Sequence, residues 1–157
     1  MKVVTHNVFS FGLSIFLLSK TGHLSVLSFF VALWLTFAVN TLIDVFGHTR
    51  KNDIPIRSFI THSVFIAPLW GAAVGIATII LPYSIFNLSA ESAFELLGAG
   101  LGVTIACTHL LLDALTQAGV YLGRRRRIAI AHMSYDNPGL NFAFVVLGLL
   151  LLAVALF

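Results

Sequence analysis

Apolar residues fall along the chain in five blocks, separated by short polar breaks. The first runs from about His6 to Leu18 and stops at Lys20-Thr21-Gly22-His23. The second runs from about Leu24 to Phe46, and a polar stretch from Gly47 to Arg57 follows. The third extends from about Ser58 to Ile80, with Pro68 inside it and Pro82 near its end, and Pro68 predicts a kink. The fourth begins near Ala90, continues to about Val120 and carries Glu91 and Glu95 in its first turns. The fifth runs from Gly139 to Phe157. A bilayer crossing takes about 20 apolar residues. Four blocks are long enough, and the first, at roughly 20 Å of helix, either crosses or re-enters. No strand-like alternation is visible, and open strands cannot face lipid. The expectation is an all-α integral membrane helical bundle of about five segments, four to five of them transmembrane, forming one domain over residues 1–157.

Composition sharpens this. Of 157 residues, 59% are hydrophobic and 10% charged, and mean hydropathy is +0.99. Soluble domains carry about 25% charged residues, so a soluble globular protein is excluded, and so is a disordered one. The single cysteine, Cys107, permits no intrachain disulfide and is expected to be buried and inert. Lys2, Arg50, Lys51, Arg57 and the run Arg124 to Arg127 hold eight of the 9 positive charges. If all five blocks cross, these lie on one side. The positive-inside rule then places the N-terminus in the cytoplasm, in an inner or cytoplasmic membrane. The arginine run reads first as a topology signal that meets anionic lipid, with a phosphate clamp over a membrane-edge site as the alternative, and not as a nucleic-acid site.

Ionisable residues in such helices are expensive and are functional candidates by default. Here they are His6, Asp44, His48, His62, His109 and Asp113. All fall at the end of a block that the charge pattern places in the cytoplasm. Asp44 and His48 are i and i+4, as are His109 and Asp113, so each pair shares a helix face. Imidazole and carboxylate are the usual ligands of zinc-like ions. Hydroxyls of Thr61, Ser63 and Thr108 stand beside the histidines as candidate orienting partners. Arg57 lies close enough to His62 in sequence to serve the same pocket, where a guanidinium suits phosphate. His23, His132 and Asp53 read as ordinary loop residues. Small-residue stretches around Gly71 to Gly75 and Gly98 to Gly102 permit close helix contacts, including those of a homo-oligomer.

The run Thr108-His109-Leu110-Leu111-Leu112-Asp113-Ala114-Leu115-Thr116-Gln117-Ala118-Gly119 resembles the signature of the YdjM-like family of inner-membrane, metal-dependent hydrolases, whose pattern is [S/T]-H-x-x-x-D-x-x-T-x-x-G. Thr61-His62-Ser63 resembles the family's T-H-S element, and His6 its opening histidine. Asp44 and His48 stand where that family ends its second segment in acidic residues and histidine. The family is grouped with zinc-dependent phospholipase C enzymes. The resemblance implies a helical bundle holding one or two divalent metals, zinc first, with manganese or iron as alternatives. It also implies phosphoester hydrolysis.

The residues and the resemblance together lead to one expectation. His6, His62, His109 and Asp113 are metal ligands. Asp44 and His48 are further ligands, or the general base and its orienter. Arg57 binds substrate phosphate. The substrate is a membrane lipid phosphoester, whose tail enters between helices. A non-catalytic metal-binding protein with a structural or assembly role is the alternative. A cation transporter ranks last, because it needs polar groups near the midplane and on both sides.

Overall fold

A computed structural model describes residues 1–51, 54–85 and 92–157. The elements are α1 (Val3–Lys20), α2 (Val26–Gly47), β1 (His48–Lys51), β2 (Ile54–Arg57), α3 (Phe59–His62), α4 (Ala67–Ile85), α5 (Ser92–Ala114), β3 (Val120–Gly123), β4 (Arg126–Ile128) and α6 (Pro138–Leu156). The protein is an all-α membrane-type bundle. Among the described residues, α1, α2, α6 and Phe94–Ala114 of α5 are long and apolar enough to cross a membrane, and α4 is a further apolar helix. The first block is therefore longer than its apolar stretch suggests, because Val3 to Thr5 and Ser19-Lys20 extend the helix at both ends.

The core is aliphatic. Ile15, Leu18, Leu35, Val39, Ile43, Leu101 and Ile105 are fully or nearly fully buried where α1, α2 and α5 meet. Large apolar side chains also cover the outside: Trp34, Phe37, Phe142, Leu150 and Val154 are all exposed. A soluble protein would bury such groups, whereas a bundle in lipid presents them. Cys107 belongs to this outer surface, contrary to the buried thiol expected.

Helix pairs are drawn together at glycines. A Cβ at Gly98 would stand 2.7 Å from the Gly75 carbonyl oxygen, and Gly71 and Gly102 meet backbone to backbone in the same way. The small-residue stretches thus pack α4 against α5 within the chain, which leaves them unavailable to a second copy. Gly12 and Gly148 join α1 to α6 likewise.

Two departures from the sequence reading matter. Pro68 does not kink a helix. The chain turns at residues 63–66, and Pro68 lies in the first turn of α4, where its missing N–H costs nothing. The polar stretches also contain two antiparallel hairpins, β1–β2 and β3–β4, instead of open loops. The first returns the chain so that the Ser58 N–H donates to the Gly47 carbonyl at 2.6 Å. Ser58 then caps α3 by accepting from the Ile60 N–H at 3.1 Å. The second follows α5, which it continues through the bond from the Ile130 N–H to the Ala114 carbonyl at 2.6 Å.

Candidate metal centre

Four helices deliver the ionisable residues to one end of the bundle. His6 comes from the first turns of α1, Asp44 from the last turn of α2, His62 from the end of α3, and His109 and Asp113 from the end of α5. His6, His62, His109 and Asp113 are at most 1% exposed.

Asp113 is the hub. Its Oδ1 accepts from Arg57 Nη2 at 2.6 Å and from the Met1 amino group at 2.8 Å. His6 Nε2 stands 3.3 Å from the same oxygen. The second oxygen, Oδ2, lies 3.4 Å from His62 Nε2 and 3.4 Å from His109 Nε2. His109 Nε2 is also 3.5 Å from Asp44 Oδ1. The His6 and His109 rings stack, with centroids 3.9 Å apart and planes 14° from parallel.

These imidazole–carboxylate distances are close enough for electrostatic attraction. Among the described residues, both ring nitrogens of His6, Nε2 of His109 and Oδ2 of Asp113 are buried with no hydrogen-bond partner. A buried polar atom without a partner costs about 1–3 kcal/mol. Several such atoms facing each other form a poor hydrogen-bond network. Ligand atoms 2.0–2.1 Å from a tetrahedral ion lie about 3.3–3.4 Å from one another. The nitrogen–oxygen separations here are 3.3, 3.4 and 3.5 Å, and they run to three carboxylate oxygens: both of Asp113 and Oδ1 of Asp44. Two overlapping groupings have the required closeness: His6 with His109 and Asp113, and Asp44 with His62 and His109. The residues present therefore fit a zinc-like divalent ion.

The surrounding groups fix the orientation of the cluster's side chains. His109 Nδ1 is 3.0 Å from Asn40 Oδ1, which holds its ring so that Nε2 points to the cluster. Asn40 Nδ2 in turn donates to Asn7 Oδ1 at 2.9 Å and Ser10 Oγ at 3.0 Å. Thr61 Oγ1 lies 3.0 Å from His62 Nδ1, the orienting role its position suggests. Thr108 does not share it: its hydroxyl donates to the Ile105 carbonyl of its own helix at 2.8 Å. Ser63 accepts from the Phe65 N–H at 3.3 Å and organises the turn into α4. Gly47 leaves room for α3, since a Cβ there would stand 2.8 Å from His62 Nδ1 and closer still to its Cε1. Burial lowers the His62 pKa, against the opposing pull of the Asp113 carboxylate. That favours the neutral, ligating imidazole.

The structure places the Arg57 guanidinium against residues of α5 and the turn that follows it. Nη2 pairs with Asp113, while Nη1 donates to Thr116 Oγ1 at 3.2 Å and to the Gly119 carbonyl at 2.8 Å. Arg57 is buried and clamps Asp113 to the turn after α5. Burial pulls its pKa down and the Asp113 charge resists. Asp44 is the wettest of the cluster, with its side chain 19% exposed. The backbone of His48 opens β1, and its side chain lies outside the described residues, as does Asp53. His23 is exposed at the other end of the bundle, and His132 is exposed in the loop after β4.

Asn40, Asn7 and Ser10 are hydrogen-bonded neighbours of the cluster that the motifs did not include as site residues. The available signal was spacing. His6 and Ser10 are i and i+4 in an apolar helix, and Asn40 and Asp44 repeat that interval in α2.

Residues 1–112 match a family described as proteins of unknown function, DUF1286. The chain belongs to the DUF1286 family. No curated protein and no solved structure matches it. The DUF1286 match takes in His6, Asp44, His62 and His109 and ends one residue before Asp113. Its description states no activity.

Proposed function

We propose that this protein is a membrane-embedded, metal-dependent hydrolase of a lipid phosphoester. His6, His62, His109 and Asp113 are its metal ligands, with zinc first and manganese or iron as alternatives. One observation carries the reading: histidine nitrogens and carboxylate oxygens from α1, α2, α3 and α5 converge 3.3–3.5 Å apart, and among the described residues both His6 ring nitrogens, His109 Nε2 and Asp113 Oδ2 are buried there without a hydrogen-bond partner. When bound, the metal supplies Lewis-acid activation of water near neutral pH.

The chain's own residues supply the rest. Asn40 and Thr61 hold the imidazoles in the ligating orientation. Arg57 balances the Asp113 charge and holds its carboxylate in place. Asp44, the most accessible carboxylate of the cluster, is the general base that takes the proton from the attacking water. Val45 and Phe46, beside it on α2, are 66% and 72% exposed, so the approach to Asp44 is apolar. This favours a lipid substrate whose headgroup reaches the cluster from the membrane boundary. The charge pattern supports a site on the cytoplasmic face of an inner membrane, with the N-terminus on that side. The motif of residues 108–119 supports kinship in mechanism with the YdjM-like hydrolases.

A structural metal centre is the second reading, and the near-complete burial of four of the groups favours it. Asp44→Asn separates the two. Purified protein in mixed micelles with phosphatidic acid or phosphatidylcholine is assayed for released phosphate or phosphocholine. The hydrolase reading expects turnover by the wild type, and loss of turnover with retained metal in Asp44→Asn. Retained metal with no turnover in the wild type selects the structural reading.

A further inference from the structure

The most highly charged surface of the molecule takes no part in the proposed metal site. Arg124 and Arg125 form the turn of the β3–β4 hairpin, and Arg126 and Arg127 begin its return strand. All four are exposed. Among the described residues none forms an ion pair. The acid of the following loop, Asp136, accepts instead from the Ser134 hydroxyl. Four adjacent guanidinium groups without a counter-charge repel one another, and an isolated protein gains nothing from holding them together.

The flanks of the hairpin are apolar. Leu122, Ile130, Met133 and Tyr135 are 37%, 64%, 41% and 62% exposed. Exposed aliphatic and aromatic groups beside arginines at the end of a membrane bundle suit the headgroup region, where apolar side chains reach the acyl boundary and cations meet phosphate. The hairpin is also fastened in place. The Val64 N–H donates to the Tyr121 carbonyl at 3.0 Å, and the Tyr121 hydroxyl donates to the Arg57 carbonyl at 3.1 Å. Arg127 lies over the Tyr121 ring, 5.9 Å from its centroid. The arginines thus stand at a fixed position on the same end of the bundle as Asp113.

We infer that the β3–β4 hairpin is a binding site for the phosphate headgroups of anionic membrane lipids. It goes beyond the hydrolase reading and needs neither metal nor turnover. A duplex nucleic acid offers similar charge, but it gives the exposed Leu122, Ile130 and Tyr135 nothing to bury against.

The test is native mass spectrometry of the detergent-solubilised full chain, titrated with dioleoyl phosphatidylglycerol or dioleoyl phosphatidylcholine. Wild type is compared with R124Q/R125Q and with R124Q/R125Q/R126Q, which keep the Arg127–Tyr121 contact. Wild type is expected to prefer phosphatidylglycerol, and the preference should fall roughly fivefold for each arginine removed. Helix content by circular dichroism should be unchanged in both variants, because the turn positions are exposed. Equal binding of both lipids by the wild type would overturn the inference. So would undiminished preference in folded variants, full competition by millimolar inorganic phosphate, or displacement of the lipid by a short DNA duplex.

Discussion

The two ends of the bundle are both polar, yet they are built differently. At the end holding the α1–α2 turn, polar groups satisfy themselves locally. Thr21 donates to the Leu17 carbonyl at 2.8 Å, and Ser25 and Ser28 bond to each other's side chain and backbone. A cavity of about 510 Å³ opens there, lined by Leu17, Leu18, His23, Phe94 and Leu101 among others. Among the described residues its walls bring no carboxylate to the histidine. At the other end the bonds join distant parts of the chain: Asn40 to His109, Arg57 to Asp113, and Thr5 to Asn141 at 2.7 Å. This cavity and the candidate site therefore lie at opposite ends. The two ends differ in whether their polar groups are satisfied locally or depend on one another across the fold.

This contrast can be broken by mutation. The largest effect is expected from Asp113→Asn. It leaves the Arg57 guanidinium buried without its partner, which costs about 3–5 kcal/mol. Thermal unfolding in detergent should show that loss, and bound metal should be absent. Asn40→Leu should keep the fold but release His109 from its orientation. Metal affinity should fall about 10–100-fold, measured by chelator competition. Gly47→Ala places a methyl group against His62, and overpacking of that kind costs about 1–3 kcal/mol. Its unfolding midpoint should drop while the α4–α5 packing is kept. At the locally satisfied end, His23→Ala should change stability by no more than about 0.5 kcal/mol and leave metal content unaltered. A large effect there would show that the two ends are not distinct in the way described.

Much of this was legible from sequence. His6, Asp44, His62, His109 and Asp113 stand out because a charged or titratable group in an apolar helix has no cheap explanation. Block parity alone put them at one end. The hairpins were harder to see. His48 to Lys51 and Arg126 to Ile128 are strands of only 4 and 3 residues, rich in charge, with no alternation to detect. Pro68 misled because a proline in an apolar run marks a kink or a start equally well. The turn at residues 63–66 decides for the start. The partners of Arg57, namely Asp113, Thr116 and Gly119, lie 56 to 62 residues away in sequence, so only the fold reveals their nearness.

The central claim is that the convergent cluster holds a metal ion. The most direct test is elemental mass spectrometry of detergent-purified wild type beside His109→Ala, with both proteins shown to be folded. Near-stoichiometric zinc, manganese or iron in the wild type, sharply reduced in the variant, is the predicted result. No metal in the wild type after incubation with each of these ions would contradict it, and the cluster would then be a buried ionic network around Asp113.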